Sequence, residues 1–464
     1  MKKNKVLSAT IWYTISGFLM KGMGVLTTPI FSRILTQEEY GAAENFYACL
    51  SIITIIGSLC LSASLVRGRF DYKDELHSFV KSNLLFGTLF TIIGGGIMLI
   101  NYNIISNYLL LDYKLFILIL LSVIVNPAYD MFVQIEQFQY KYKVVTFISM
   151  MNTFMGVVLA LVMMLFMRDN LWARIIGGQI PVLCSGVVLY IYYLIKGGKL
   201  RLEYIRYALL ICIPYMIHLL SGTILNSSDR IMVTKICGAS SNALYSMSYN
   251  VAQVANVLWM SMNSAFSPWQ CEQLSKGYYK DIKRYSYCYI LIFISCILGL
   301  MFIAPELLII LGGQTYTVSK KVIPIIVQGY VFLFLYSLYV NIEQYEKKNA
   351  GMAIASMLCA TFNVFLNYIF IPKFGYAAAA YTTMVSYFLL FVFHFILVLR
   401  MKKNCFDSKF IWGMVILTSV SLVGIIKLYD FFIVRYFVLL FYIIFLIVTI
   451  TKYREKIVAL YKLL

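Results

Sequence analysis

Long apolar stretches recur along the whole chain and dominate what it can fold into. Fourteen of them are each long enough to cross a bilayer, since a helix needs roughly 20 apolar residues to span the hydrocarbon layer. The predicted spans cover about residues 10–32, 40–64, 79–101, 114–134, 142–167, 171–195, 207–233, 242–268, 285–311, 321–342, 351–371, 377–399, 410–429 and 431–451. We therefore predict an all-α polytopic membrane protein with about 14 transmembrane helices.

The charges of the segments between these spans alternate, which predicts the topology. Positive residues accumulate on the cytoplasmic side of short loops. With the N-terminus inside, the predicted cytoplasmic segments hold most of the 39 Lys and Arg residues. Clusters of these residues lie at 2–5, 67–81, 196–206, 276–284, 400–409 and 452–462. We predict a multi-pass membrane protein with both termini in the cytoplasm.

The composition argues against several classes of soluble protein. The net charge of +19 is explained by the inside bias and by anionic membrane lipids, so we expect no nucleic-acid partner. The ten Cys residues form no CxxC motif and lie mostly in apolar stretches, where small free thiols are common. His77, His218 and His394 are far apart in the chain. We therefore expect no metal site and no cofactor.

The loops are too short to hold a catalytic or nucleotide-binding domain. The longest inner loop, at about 65–78, is charged and mixed in sequence, and no glycine-rich P-loop is present. Direct ATP hydrolysis is therefore not expected. An enzyme that polymerises or ligates glycans remains an alternative, but the short outer loops argue against it. We predict that the chain is not an enzyme.

Polar residues recur at three- and four-residue steps in the second and eighth predicted spans, which places them on one face of each helix. The second span carries Tyr40, Glu44, Tyr47, Ser51, Thr54 and Ser58, and the eighth carries Asn242, Ser246, Tyr249, Gln253, Asn256, Met260 and Asn263. Under one shift of the chain the two faces coincide, in the pairs Tyr47–Tyr249, Ser51–Gln253 and Thr54–Asn256.

This match predicts an internal repeat. Two pseudo-symmetric six-helix lobes would occupy residues 1–200 and 201–400, and residues 401–464 would add two transmembrane helices and a cytoplasmic tail. Parallel halves related by an axis along the membrane normal are a known transporter plan. The matched polar faces then predict a central cavity between the lobes. The alternative is that these side chains form hydrogen bonds to neighbouring helices.

Charged residues inside spans are candidates for function, because a cation at a helix centre costs roughly 2.5–3.5 kcal/mol on insertion scales. Lys21 lies near the middle of the first span, and Arg33 ends that span on the outer side. Both are predicted to line the cavity, although each side chain could instead reach an interface. Glu44 lies one turn into the second span. It is predicted either to pair with these cations or to titrate and couple transport to an ion gradient.

Asp229 and Arg230 lie near the outer end of the seventh span, where they could pair locally. We predict both as cavity residues, together with Tyr47, Ser51, Tyr249, Gln253 and Asn256. Arg174 opens the sixth span from the outside and is assigned no role in the cavity.

Three segments of the chain resemble a known family. They are GFLMKGMGVLTTPIFSRILTQEEYGAAENFYA in the first two spans, NSSDRIMVTKICGASSNALYSMSYNVA around the seventh and eighth, and LNYIFIPKFGYAAAAYTTMVSY, with its Pro-x-x-Gly turn. The chain resembles the Wzx-type oligosaccharide flippases, which are polysaccharide-synthesis transporters of the MOP superfamily. That superfamily also contains the MATE drug exporters and the lipid II flippases.

The resemblance implies a V-shaped, two-lobed bundle that moves a polyprenyl-diphosphate-linked oligosaccharide from the inner to the outer leaflet. Sugar hydroxyls cannot leave water without new hydrogen bonds, and a diphosphate requires cations, for which Lys21, Arg33 and Arg230 are candidates. Glu44 and Asp229 are candidates for coupling to protons or sodium ions. A polysaccharide polymerase is an expected partner.

Two other transport functions remain open. A MATE-like exporter of small cationic compounds is one, although a cavity that contains Lys21 and few acidic residues argues against it. A lipid II-type flippase is the other, because the extra C-terminal pair of spans could form a groove for a lipid tail.

Overall fold

A computed structural model describes residue 24 and residues 27–139 and 141–452. This part of the chain is helical and contains no strand. It divides into two compact units, one up to Ala243 and one from Leu244 onward. The boundary that we predicted between residues 200 and 201 concerns the internal sequence repeat, and it stays a prediction.

In the first unit a short helical segment at 27–34 is followed by eight helices and the first residues of a ninth. They are α1 Gln37–Ser58, α2 Leu65–Asp71, α3 Leu76–Ile100, α4 Tyr102–Leu109, α5 Tyr113–Phe138, α6 Tyr142–Phe166, α7 Asn170–Lys196, α8 Leu202–Cys237 and α9 Ala239–Lys276. Short 3₁₀ turns at Leu61–Ser64 and Lys73–Glu75 flank α2.

The second unit begins within α9 and contains six further helices. They are α10 Tyr279–Gly312, α11 Ile323–Tyr345, α12 Asn349–Phe374, α13 Tyr376–Arg400, α14 Ser408–Leu428 and α15 Phe432–Lys452. In α11 nearly every residue is buried, which makes it the centre of this unit. Most residues of α15, in contrast, are exposed apolar side chains suited to contact with lipid.

The fold is an all-α polytopic membrane fold, as predicted. Eleven helices in the described part of the chain are long and apolar enough to cross a membrane, and counting the bent pair α1–α2 as one span raises the number to 12. The first predicted span lies mostly outside the described residues. The eighth corresponds to α9, whose Asn, Gln and Ser residues leave it less apolar than the eleven, although its 38 residues extend about 57 Å. The number 14 is therefore not confirmed.

Local sequence signals set the two ends of α1. Thr36 caps its first turn, with Oγ1 accepting from the Glu39 backbone N–H at 3.2 Å, while Glu39 Oε2 accepts from the Thr36 N–H at 2.8 Å. This reciprocal pair is a capping box. At the other end, Leu59 and Cys60 adopt positive φ angles of 48° and 51°. The helix therefore ends there, and the chain turns by 49° before residues 61–71.

The predicted inner loop at about 65–78 is instead folded into α2, a 3₁₀ turn and the start of α3. Its charges are paired with the segment that opens α8. Glu75 accepts two hydrogen bonds from Arg201, at 2.9 and 2.8 Å, and one from Tyr204. Tyr207 donates to Asp71 at 2.6 Å. A bidentate Arg–carboxylate pair gives a fixed geometry, so this segment is ordered by contacts with residues distant in sequence.

We expect that replacing Arg435 by Met will loosen α15 from the second unit. Arg435 is buried and pairs with Glu306 of α10, which also accepts from Tyr436 at 2.8 Å. Without Arg435 the carboxylate, which is 33% exposed, loses its charged partner, so we expect a cost below the about 3–5 kcal/mol of a fully buried pair. The measurement is the thermal unfolding midpoint of the detergent-solubilised protein. Ile433→Ala on exposed surface of the same helix is the matched control, and equal midpoints for the two variants would contradict the prediction.

Candidate functional site

Glu44 lies on the buried face of α1 between two arginine side chains. Its Oε1 is 4.0 Å from Arg174 Nη2 of α7, and its Oε2 is 3.8 Å from Arg230 Nη1 of α8. All three side chains are largely buried, with 11% of Glu44, 14% of Arg174 and 15% of Arg230 exposed. Both separations are too long for hydrogen bonds. The Glu44 carboxylate therefore pairs only loosely with each of the two guanidinium groups.

The start of α7 positions Arg174. Asp169 caps this helix by accepting from the Trp172 backbone N–H at 3.0 Å, which sets the first turn. The Arg174 guanidinium then lies over the Phe31 ring at 4.0 Å, a cation–π contact that holds its plane. Its Nε–H has no hydrogen-bond partner among residues 27–139 and 141–452. Because a guanidinium carries five N–H donors, Arg174 retains donors for an anionic ligand.

Tyr47 and Ser51 continue the polar face of α1 beyond Glu44. A Cβ atom on Gly178 of α7 would lie 2.9 Å from the Tyr47 hydroxyl, so glycine at this position leaves room for the hydroxyl to approach α7. Ser51 Oγ donates to the Ala48 carbonyl at 2.8 Å and lies 3.5 Å from Ser227 Oγ of α8. Hydroxyl groups therefore extend the charged cluster by about two helical turns.

Asp229, another predicted residue, is buried on α8 with 1% of its surface exposed. Arg33 is exposed and donates to the Pro29 carbonyl at 2.7 Å. The ion pairs of Glu44 within 4.0 Å are with Arg174 and Arg230. Lys21 lies outside the described residues.

The predicted cavity residues of α9, Tyr249, Gln253 and Asn256, lie in the second unit. Tyr249 is buried against the rings of Tyr245 and Tyr330, with ring centroids 6.0 and 6.2 Å apart. Asn256 Nδ2 donates to Gln253 Oε1 at 3.0 Å, so these two side chains bond within one helical turn. Their place in a shared cavity stays a prediction.

The sequence indicated Glu44 and Arg230 as site residues but did not indicate that Arg174 pairs with Glu44. A cation five residues after a helix-capping Asp at a predicted outer end is ordinarily an interface residue. One signal in the sequence could have identified Arg174. A carboxylate buried within one span requires cationic partners, and these must come from other spans. Among the described residues, no group of three His, Cys, Asp or Glu side chains could hold a metal ion.

The chain matches the family model of polysaccharide biosynthesis proteins over residues 6–272 and the MatE model over residues 204–369. The Lsg locus protein 1 of Haemophilus influenzae is 24% identical over 76% of this chain and 88% of its own. A membrane protein from the cps region of Klebsiella pneumoniae is 21% identical, over 68% of this chain and 66% of its own. A membrane protein of Methanocaldococcus jannaschii is 27% identical, but the match spans only about half of each chain, 51% and 47%.

Solved structures show the same fold. The lipid II flippase MurJ in an inward closed conformation superposes with a TM-score of 0.64 and 16% identity, over 96% of this chain and 100% of its own. An inward-facing multidrug resistance MATE transporter of the MOP superfamily superposes with a TM-score of 0.56 and 14% identity, over 85% and 98%. The fold is thus shared by flippases and exporters of this superfamily. Because the family model covers more than half of the sequence, the chain belongs to the polysaccharide biosynthesis protein family.

Proposed function

We propose that this protein moves a polyprenyl-diphosphate-linked oligosaccharide from the inner to the outer leaflet of a bacterial inner membrane by alternating access. The observation that carries the proposal is the pair of buried guanidinium groups around Glu44. Both groups lie only loosely against Glu44, and the Nε–H of Arg174 has no hydrogen-bond partner among residues 27–139 and 141–452. A diphosphate is a ligand that such a pair recognises through charge-assisted, bidentate hydrogen bonds.

The geometry suggests how binding and release occur. Before the headgroup binds, Glu44 serves as a counter-ion of Arg174 and Arg230 in the membrane interior. An arriving diphosphate competes with Glu44 for both guanidinium groups, and departure of the headgroup restores the original pairs. Because both pairs are loose, at 4.0 and 3.8 Å, little hydrogen-bond energy is lost when the ligand replaces the carboxylate.

The hydroxyl-rich face beyond the charges suits the sugars. An oligosaccharide must exchange its hydrogen bonds to water for others when it leaves the aqueous phase. Tyr47 and Ser51 offer hydroxyl groups in the first unit, and Tyr249, Gln253 and Asn256 offer hydroxyl and amide groups in the second. The lipid tail would remain in the bilayer. Lys21 and Arg33 are proposed as additional cations along the path of the diphosphate.

Several finer assignments belong to this proposal. Glu44 and Asp229 are candidates for coupling to protons or sodium ions, because carboxylates are the charges that such ions neutralise. The division into lobes at 1–200 and 201–400 with two extra helices at 401–464, and the cytoplasmic position of both termini, are also part of this proposal. A polysaccharide polymerase is the expected partner, since translocated units accumulate at the outer leaflet. The names of the Lsg locus and cps region relatives support a role in surface polysaccharide synthesis.

Deletion of the gene is expected to remove surface polysaccharide and to trap lipid-linked oligosaccharide on the inner leaflet. The reason is that the headgroup cannot cross hydrocarbon unaided. The measurement is the leaflet distribution of extracted lipid-linked glycan, with surface glycan quantified in parallel. Expression of the intact chain should restore both. Normal surface polysaccharide in the deletion strain would contradict the proposed function.

The MatE match over residues 204–369 favours a second candidate, the export of small cationic compounds. The buried guanidinium groups of Arg174 and Arg230 beside Glu44 disfavour a cationic ligand at this site. Increased accumulation of a cationic dye in the deletion strain, with unchanged surface glycan, would support the exporter. Loss of peptidoglycan synthesis instead would indicate a lipid II-type flippase, the fold of which the chain shares.

A further inference from the structure

A second buried acid–base pair lies far from the arginine cluster in sequence, in the second unit. Glu343 of α11 and His394 of α13 each have 0% of the side chain exposed, and Glu343 Oε1 is 2.7 Å from His394 Nδ1. The remaining atoms, Glu343 Oε2 and His394 Nε2, are buried and have no hydrogen-bond partner among residues 27–139 and 141–452. A buried pair that leaves half of its hydrogen-bonding capacity unused is poorly explained as a structural support.

The side chains described next to this pair are uncharged. The Tyr336 ring of α11 lies edge-on to the imidazole, with ring centroids 4.9 Å apart. From α12, Ser356 forms a hydrogen bond with Tyr336, and Cys359 lies close to the same tyrosine. A Cβ on Gly351 of α12 would come within 4.0 Å of Glu343 Oε2, so little space remains beside the carboxyl.

Several charged groups on the neighbouring elements are paired among themselves. Glu346 pairs with Lys403 at 3.1 Å, Lys283 with Asp407 at 3.1 Å, and Glu272 of α9 with Lys276 at 2.5 Å. Hydrogen bonds from Tyr287, Lys283 and the Phe410 backbone hold the pKa of Asp407 well below its usual range, so that carboxylate stays ionised. Lys347 and Lys348 are exposed.

We propose that Glu343 and His394 form a proton-binding site whose proton is released when the pair becomes hydrated during transport. A buried pair that holds one proton has no net charge, whichever of the two groups carries it. Removing that proton would leave a buried carboxylate beside a neutral imidazole, and adding another would leave a buried cation. Each charged state is disfavoured by desolvation.

Hydration reverses this preference. In water a glutamate has a pKa near 4.3 and a histidine near 6.5, so at pH 7 the separated groups are mostly an anion and a neutral imidazole. Moving the pair between a buried and a hydrated state therefore exchanges one proton with solvent. The role of the Glu343–His394 pair in transport rests on the proposed function. The presence of a proton on the buried pair does not depend on it.

The chain is well suited to a direct test, because it has three histidines. In a His77→Gln, His218→Gln background, nitrogen-15 NMR of the remaining imidazole and infrared spectroscopy of the carboxyl group report where the proton lies. At pH 7.5 we expect an imidazolium or a protonated carboxyl group in the purified protein in lipid nanodiscs. In Glu343→Gln, His394 should be neutral at that pH.

Glu346→Gln on the same helix end is the matched control, and it should leave the His394 signal unchanged. An ionised carboxylate beside a neutral imidazole at pH 7.5 in the parent protein would overturn the proton site. The role of the pair in transport is tested by measuring the amount of surface polysaccharide in cells that contain equal amounts of each variant. Glu343→Gln should lower it at least ~10-fold, while Glu343→Asp should restore part of it and Glu346→Gln should leave it unchanged.

Full polysaccharide output from the Glu343→Gln variant would contradict the proposed link between proton release and transport. A deletion strain with normal surface polysaccharide would contradict the proposed function instead, and the spectroscopic result would still decide whether the pair holds a proton. The two failures are therefore distinguishable.

Discussion

Replacing Arg174 and Arg230 together by Gln is expected to reduce surface polysaccharide output by ~100-fold or more at matched protein level. Each guanidinium contributes charge-assisted hydrogen bonds of about 1.5–3 kcal/mol to an anionic headgroup, and every 1.4 kcal/mol is about tenfold in affinity. Neutral amides keep the polarity but supply no charge to the diphosphate. The measurement is surface glycan per cell in the deletion strain that carries each variant.

Lysine at both positions separates charge from geometry. It restores the positive charge without the planar, bidentate fork, so we expect partial output from the double lysine variant. Arg168→Gln is the matched control, because Arg168 is exposed just before the same end of α7. Output near that of the parent in the double Gln variant would show that the diphosphate binds elsewhere.

Gly177→Val is expected to prevent α6 and α7 from packing and to remove most of the folded protein. A Cβ on Gly177 would lie 2.4 Å from both the Cα and the backbone N of Ala160. Backbone atoms cannot rotate away as a side chain can, so the two helices must separate. Overpacking of this kind costs about 1–3 kcal/mol when side chains can adjust, and here we expect the upper end or more. The measurement is the yield of monodisperse protein and its thermal midpoint in detergent.

Gly94→Val tests the same substitution where there is room for it. Gly94 lies in α3, and a Cβ there would meet no atom within 4 Å. Both variants replace a helical glycine by a β-branched residue, so intrinsic helix propensity changes equally. Similar yields and midpoints for Gly177→Val and Gly94→Val would show that the close approach of α6 and α7 is not required.

The helical membrane fold was predictable because its signal is local. A run of about 20 apolar residues identifies a span wherever it lies in the chain, and most predicted spans have a matching helix. The signal weakens in α9, since the polar residues that make this helix a functional candidate also lower its hydropathy. The helical structure of the inner segment at 65–78 was not predicted, because Arg201 and Tyr204, which order it, lie far along the chain.

The sequence identified only some of the residues of the candidate site. Glu44 and Arg230 stood out because charges inside apolar stretches are rare. Arg174 did not stand out, because a cation at the end of a span is ordinary. His394 appeared isolated, since its partner Glu343 is 51 residues earlier in the chain and falls just after the end of a predicted span.

Hydropathy and loop charge, read from the sequence alone, determined that this chain is a bundle of membrane helices and predicted its orientation. Both depend on the free energy of moving each residue between water and lipid, which is a property of local composition. Only the tertiary structure decided which charges meet. A buried ion needs a partner within a few ångströms, and the partners of Glu44 and of His394 come from other helices, whose rotation and depth are set by packing rather than by any local pattern.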